Sequence, residues 1–190
     1  MRSFKQKNFL KNMVSKYKIA AIGLWHLGEI YSVGLAELGH NVIGVSEDRE
    51  VIGNFLKGIP PIAEPQLSRL IRKNLNAGRV FYTTDFSKIR DCNVLWLTFD
   101  VPVDENDNVD LSVVWDALEK SLPYLPKEIL FVVSSQLPVG TSRKIQEIIK
   151  TKQSDLKFDY IYTPENLRLG EAVRCFFEPG RIVAGADSPT

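Results

Sequence analysis

Residues 18–28 read KIAAIGLWHLG, and the rest of the chain is organised around this stretch. A short apolar run ends at Gly23, a second glycine follows at Gly28, and a segment with helical periodicity continues from there. This order is typical of the first strand, tight turn and helix of a dinucleotide-binding α/β fold. That pattern normally has a middle glycine, and this chain has Trp25 at the position. The stretch therefore indicates the fold, but other parts of the chain must decide the cofactor.

The composition is that of an ordinary globular chain of 190 residues, with 44% hydrophobic and 25% charged residues. This length suits a single α/β domain. The net charge of +1 gives no reason to expect nucleic-acid binding. No apolar run approaches the roughly 20 residues that a membrane span requires. Two cysteines, Cys92 and Cys175, are too few for a disulfide framework and suit a reducing compartment, so we expect a cytoplasmic protein. We also expect no metal site.

A basic extension precedes the domain. Residues 1–18 contain six Lys or Arg and no acidic residue, so the rest of the chain carries −5. Apolar side chains recur in this extension at helical spacing, at Phe9, Leu10, Met13, Val14 and Tyr17. A basic amphipathic helix can contact an anionic surface, but a short helix packed on the domain or a frayed tail is the simpler interpretation. We therefore assign residues 1–17 to an extension and 18–190 to a dinucleotide-binding domain.

Strand and helix patterns alternate along the domain. Apolar runs predict strands at residues 19–23, 41–45, 80–82, 93–99, 128–134 and 158–162, with a last short strand at 181–184. We expect one helix to begin at Glu64 and Pro65, and residues 166–178 to be mostly helical. This rhythm predicts a single-domain, Rossmann-like, doubly wound and mostly parallel sheet with helices on both faces. Ligands bind such a sheet beyond the carboxyl ends of its strands.

Seven motifs occur in order along the chain. They are GLWHLG at 23–28, GIPPIAEPQL at 58–67, TTDF at 83–86, PVD at 102–104, SQLPVGT at 135–141, PENLRLG at 164–170 and PGRIV at 179–183. Together they resemble the N-terminal domain of the UDP-glucose/GDP-mannose dehydrogenase family. The resemblance implies NAD as the cofactor and a nucleotide sugar, in the first instance a UDP-sugar, as the substrate. It also implies oxidation of the sugar C6 hydroxyl to a carboxylate in two NAD-dependent hydride transfers.

The resemblance assigns cofactor-binding residues to four loops. These are Gly23, Trp25, His26, Leu27 and Gly28 in the first turn, Ser46 and Glu47 after the second strand, Val101 and Pro102 after the fourth, and Gln136 after the fifth. Ser46 stands where the family has an Asp that binds the adenosine ribose. The acidic side chains of Glu47 and Asp48 would repel a 2′-phosphate, so we expect NAD rather than NADP. We expect the His26 side chain to face solvent in the first turn of the helix.

Catalytic and substrate-binding residues follow from the same resemblance. Gln136 and Glu165 occupy the positions that place and activate a hydrolytic water, and both are therefore predicted to be catalytic. The predicted substrate-binding residues are Glu165, Asn166, Leu167, Arg168 and Leu169. Neither cysteine matches the position of the family's nucleophile. We therefore expect the C-terminal substrate domain to be absent from this chain and the chain alone to be inactive. The resemblance also implies that the full-length protein is a homo-oligomer.

Five positions depart from the family pattern: Trp25, Ser46, Val101, Gln136 and Leu169. Each departure weakens one expected contact with a cofactor or a substrate. They leave a second hypothesis open, in which the chain is a non-catalytic nucleotide-binding or scaffold module that retains the fold.

Overall fold

The computed structural model describes residues 17–101, 105, 109–165 and 167–187. Most of the basic extension lies outside this range, as do two predicted site residues, Pro102 and Asn166. The strands are β1 (Lys18–Ile22), β2 (Asn41–Val45), β3 (Val80–Thr83), β4 (Val94–Leu97), β5 (Glu128–Val133), β6 (Lys157–Tyr162) and β7 (Gly185–Ala186). The helices are α1 (His26–Glu37), α2 (Arg49–Leu56), α3 (Leu67–Asn76), α4 (Ser112–Ser121), α5 (Thr141–Lys152) and α6 (Ala172–Phe177).

The strands form one sheet in the order β3-β2-β1-β4-β5-β6-β7. Each neighbouring pair from β3 to β6 is parallel, and β7 pairs antiparallel with β6. The strand order reverses direction beside β1, which creates the crevice in which doubly wound sheets bind their ligands. The predicted fold class, a single-domain Rossmann-like sheet, is confirmed.

Both faces of the sheet are buried, because alternate residues of each strand point to opposite sides. In β1, Ile19 and Ala21 pack with α1, α2 and α3 on one face, and Ala20 and Ile22 pack with α4 and α5 on the other. A continuous apolar run such as residues 19–22 is what a strand covered on both faces requires. Among the residues that the structure describes, no helix has the length and hydrophobicity needed to cross a bilayer.

Three predicted boundaries are wrong. Helix α3 begins at Leu67 rather than at Glu64 and Pro65, because Gln66 adopts a left-handed conformation with φ of 69° and the Glu64 side chain turns into the interior. Helix α6 covers only residues 172–177 of the segment expected to be helical. The last strand is β7 at residues 185–186, not at 181–184, since pairing with Ile161 and Tyr162 fixes its position.

Candidate cofactor and substrate site

The predicted site loops converge at one edge of the sheet. Residues that follow β1, β2, β4, β5 and β6 meet there, since parallel strands place their carboxyl ends on the same side. Thr98 connects two of these loops, because its hydroxyl donates to the carbonyl of Gly23 at 2.8 Å. The N–H of Phe99 in turn donates to the Ser135 hydroxyl at 2.8 Å. Short hydrogen bonds across the strand ends therefore hold the site loops together.

The first turn depends on both of its glycines. Gly23 has a φ of +98°, a conformation that a side chain rarely tolerates. A Cβ added at Gly28 would lie 1.7 Å from the carbonyl oxygen of Gly23. The first turn of α1 therefore packs too closely against the end of β1 to leave room for a side chain at this position. These are the tight-turn and close-packing functions expected of the first and last glycines of the pattern.

Trp25 lies beside a cavity of about 380 Å³ at this edge. The residue is 51% exposed and its backbone is extended, so much of the indole remains accessible to solvent at the cavity wall. Ser46 and Glu47 line the same cavity from the end of β2. The Ser46 hydroxyl accepts the N–H of Asp48 at 3.2 Å, and the Glu47 carboxylate pairs with Lys120 at 2.6 Å.

The N-terminus of α1 follows Trp25, which lines this cavity, and a side chain already contacts it. The carbonyl of Trp25 accepts the N–H of Glu29 at 2.8 Å, so the N–H groups of His26, Leu27 and Gly28 precede the first intrahelical bond. The N–H of Leu27 donates to Asp100 Oδ2 at 3.2 Å. Partial burial raises the pKa of the Asp100 carboxyl, although this hydrogen bond opposes the shift.

His26 does not face solvent as expected. Its side chain is only 14% exposed, and its Nε2 lies 2.9 Å from Glu64 Oε1. The Glu64 carboxylate also accepts the N–H groups of Gly170 at 2.8 Å and Ala172 at 3.1 Å. The solvent-facing prediction is wrong because a turn distant in sequence covers the first turn of α1. Glu64 thereby links the predicted cofactor loop to the predicted substrate segment.

A second carboxyl group is buried beneath the same turn. Glu29 is fully buried, and its Oε2 accepts the N–H of Ile62 at 3.2 Å. Within the described residues its Oε1 has no hydrogen-bond partner. Desolvation raises the pKa of Glu29 to about 8, and the nearby carboxylates of Glu64 and Asp100 add to the shift. Glu29 is therefore largely protonated near neutral pH.

The two predicted catalytic side chains lie together. Gln136 Nε2 donates to Glu165 Oε1 at 3.1 Å, although 29 residues separate them in the chain. The other carboxylate oxygen of Glu165 accepts the N–H of Leu167 at 2.6 Å. Glu165 is half-buried and Gln136 is exposed, so the pair lies at the surface of the site rather than in its interior. Val101, at the end of the neighbouring loop, packs against the core on the α4 and α5 side of the sheet.

The predicted substrate segment divides between the core and an open groove. Leu167 packs against the core, while Arg168 and Leu169 are exposed. A groove of about 900 Å³ runs beside this segment, and Arg168, Arg174 and Arg181 line it together with Tyr31 and Trp96. The groove is therefore apolar at its base and carries three guanidinium groups.

The two cysteines lie in different environments. Cys92 is 1% exposed, and burial raises the pKa of its thiol to about 11, which suppresses the reactive thiolate. Cys175 is partly exposed and lines the 900 Å³ groove. Among the described residues, no cluster of three or more His, Cys, Asp or Glu side chains could hold a metal ion.

Sequence reasoning missed three carboxylates of this site: Glu29, Glu64 and Asp100. Asp100 lies close to a motif and Glu64 lies within one. Their contacts, however, join residues that are 73 and 106 positions apart in the chain, and a local sequence pattern cannot predict such contacts. Glu29 does leave a signal. It is an acidic residue inside the helix that follows the glycine turn, and in such folds that helix is deeply buried.

The fold and the paired glycine turn define a dinucleotide-binding domain of the dehydrogenase type. Residues 17–190 match the model of the UDP-glucose/GDP-mannose dehydrogenase family, NAD binding domain. The chain belongs to this family, corresponds to its NAD-binding domain and uses NAD as its cofactor. This membership does not favour the hypothesis of a scaffold module that has lost the family's role.

Individual relatives agree with the family. The chain is 36% identical over 172 residues to an uncharacterized protein of Methanocaldococcus jannaschii, covering 90% of this chain and 19% of that protein. It is 33% identical to a UDP-glucose 6-dehydrogenase of Rhizobium meliloti, covering 90% of this chain and 39% of the enzyme. The structure of a UDP-glucose dehydrogenase from Pyrobaculum islandicum superposes with a TM-score of 0.83 at 26% identity, covering 92% of this chain and 41% of that one. The chain thus spans about two fifths of the length of the dehydrogenases that it matches.

Proposed function

We propose that this chain is the cofactor-binding part of a nucleotide-sugar 6-dehydrogenase of the UDP-glucose type. The carrying observation is the convergence of the glycine turn, the cavity beside Trp25 and the Gln136–Glu165 pair at one edge of the sheet. When bound, NAD supplies the hydride acceptor for oxidation of the sugar C6 hydroxyl. The domain boundaries at residues 17 and 18, the homo-oligomeric state and the cytoplasmic location remain predictions.

The cavity suits NAD better than NADP. Ser46, Glu47 and Asp48 line it where the adenosine ribose is expected, and two of these side chains are carboxylates. A ribose 2′-hydroxyl can hydrogen-bond there, whereas a 2′-phosphate would meet like charge. The diphosphate of the cofactor is received by the N–H groups at the N-terminus of α1, where the helix dipole favours an anion.

The substrate side of the proposal rests on the 900 Å³ groove. The guanidinium groups of Arg168 and Arg181 suit the diphosphate of a nucleotide sugar, because Arg recognises phosphate oxygens through paired N–H donors, whereas Arg174 already pairs with Glu171 at 2.8 Å. Leu167 and Arg168 line the groove, Leu169 beside them is exposed, and Glu165 lies just before this segment. Gln136 and Glu165 hydrogen-bond each other directly, so a water would bind beside the pair, with the Gln136 amide orienting it and the Glu165 carboxylate accepting its proton.

Turnover requires a nucleophilic thiol that these residues do not offer. Cys92 is buried with a raised pKa, and Cys175, which lies on α6 and lines the groove, does not match the position of the family's nucleophile. We therefore infer that the chain alone binds NAD without completing the oxidation.

Calorimetric titration of the 190-residue chain tests this proposal. We expect saturable binding of NAD, binding of NADP at least about tenfold weaker, and no increase in NADH absorbance when UDP-glucose is added. The scaffold hypothesis predicts no saturable binding even at millimolar NAD. Equal affinity for NADP would contradict the assignment of residues 46–48 to the adenosine ribose.

A further inference from the structure

The cavity beside Trp25 has an unusual charge for a site that must receive a diphosphate. Four carboxylates line it, those of Glu47, Asp48, Asp100 and Asp116. Among the described residues that line this cavity there is no Lys or Arg. Lys120 stands nearby but is already paired with Glu47 and Asp116, each at 2.6 Å. An anion entering the cavity therefore depends on backbone N–H groups.

Those N–H groups are few, and one of them is occupied. The N–H groups of Trp25, His26, Leu27 and Gly28 precede the first hydrogen bond within α1. Among them, the N–H of Leu27 donates to Asp100 Oδ2 at 3.2 Å. Asp100 reaches this position from the loop after β4, which shares the edge of the sheet with the glycine turn. A side-chain carboxylate thus occupies the place where the proposed function puts the diphosphate of the cofactor.

A carboxylate and a diphosphate cannot share this position at neutral pH. Two anionic oxygens that compete for one N–H repel each other, and in a partly desolvated cleft the repulsion is stronger than in water. We propose that Asp100 is an affinity-determining residue whose carboxylate competes with the cofactor diphosphate for the N–H of Leu27. NAD binding then requires the Asp100 side chain to rotate away, and the free energy of that displacement weakens binding.

This inference rests on the proposed function, because it takes the N-terminus of α1 as the diphosphate position. Asp100→Asn is the informative variant, since it removes the charge and keeps an oxygen that can accept the N–H of Leu27. Asp110→Asn is the matched control. Asp110 also accepts an N–H at the start of a helix, from Ser112 at 2.8 Å, but it does not line the cavity.

The ligands provide a second control. ADP carries the diphosphate and adenosine does not, so each protein is titrated by calorimetry with NAD, ADP and adenosine. We expect Asp100→Asn to tighten NAD and ADP binding by about tenfold and to leave adenosine binding unchanged. We expect Asp110→Asn to change none of the three by more than about twofold. Asp100→Ala should also tighten ADP binding, and thermal melting by circular dichroism shows that each variant is folded.

The outcomes separate the two proposals. If the parent chain binds NAD and Asp100→Asn binds NAD and ADP no more tightly, the competition is refuted and the proposed function stands. The competition is also refuted if adenosine binding tightens as much as ADP binding, because the change would then lie outside the diphosphate position. If no variant binds NAD or ADP saturably, both the competition and the proposed function are wrong.

Discussion

The cavity beside Trp25 and the arginine-lined groove differ in charge and in construction. The first is about 380 Å³, is lined by four carboxylates, and borders a glycine turn in which a Cβ added at Gly28 would clash with backbone. The second is about 900 Å³ and is lined by three arginines and by the carboxylate of Glu178.

This difference indicates how each region would recognise a diphosphate. The carboxylate-lined cavity offers backbone N–H groups at the start of α1, so its selectivity depends on backbone geometry and on the position of Asp100. The groove offers guanidinium groups, whose selectivity depends on side-chain position. Substitutions of the turn glycines should therefore damage the cavity most. Substitutions of the carboxylates should change its affinity for a ligand without disrupting its structure.

The largest effect is expected from Gly28→Ala. The new Cβ would lie 1.7 Å from the Gly23 carbonyl oxygen, so helix α1 must move away from β1. We expect the free energy of unfolding to fall by about 3 kcal/mol, together with loss of NAD binding, both measured on the same preparation by urea denaturation and calorimetry. Gly53→Ala in α2 is the control, because no atom beyond its chain neighbours and its own helix backbone lies within 4 Å of the point that its Cβ would occupy, and it should be neutral or slightly stabilising. Similar losses in both variants would contradict the geometry of the turn.

A smaller effect is expected from Glu64→Ala, which cuts the link between the two regions. The change leaves the N–H groups of Gly170 and Ala172 and the imidazole of His26 without their acceptor. We expect a loss of about 2 kcal/mol in the free energy of unfolding. Hydrogen exchange should accelerate at Gly170 and Ala172, whereas Glu50→Ala, on the exposed side of α2, should alter neither amide. Unchanged exchange at both amides would show that Glu64 does not connect the regions.

The third effect depends on pH and is expected from Glu29→Gln. The pKa of Glu29 is raised from 4.5 to about 8 in the folded chain, so between these values the folded state binds more protons than the unfolded state. Stability from this group is therefore highest below pH 4.5 and falls as the pH rises toward 8. Glu29→Gln should flatten this decline in urea denaturation and be more stable than the parent chain in mildly alkaline buffer. The exposed control Glu50→Gln should retain the decline, and a parallel decline in Glu29→Gln would contradict the assignment.

The sheet and the glycine turn are predictable because their signals are local. A strand buried on both faces needs a continuous apolar run, and residues 19–22 have one. The paired glycines meet over five residues, so their spacing alone reports the close contact. The position of β7 is not predictable in this way, because the strand has two exposed residues and depends on pairing with β6 rather than on its own composition.

The carboxylates of the site leave no comparable signal. Asp100 and Glu64 act through backbone N–H groups, and every residue except proline carries one, so the partner leaves no mark in the sequence. The neighbours of His26 predict an exposed first turn, and only the packing of residues 58–67 against that turn buries its side chain. The Gln136–Glu165 contact follows from family motifs rather than from any spacing that physics requires.

The most direct test of the cofactor position is an NMR titration of the chain with NAD, in which the backbone amides and the three tryptophan indole N–H groups are followed. Trp96 donates its indole N–H to Ser134, and Trp115 lies under the ammonium group of Lys144, so these two provide internal references. We predict saturable shifts of the Trp25 indole and of the Leu27 amide, with smaller changes at Trp96 and Trp115. Saturable shifts confined to the arginine-lined groove, or no shifts in a folded chain at millimolar NAD, would contradict the placement of the cofactor at the glycine turn.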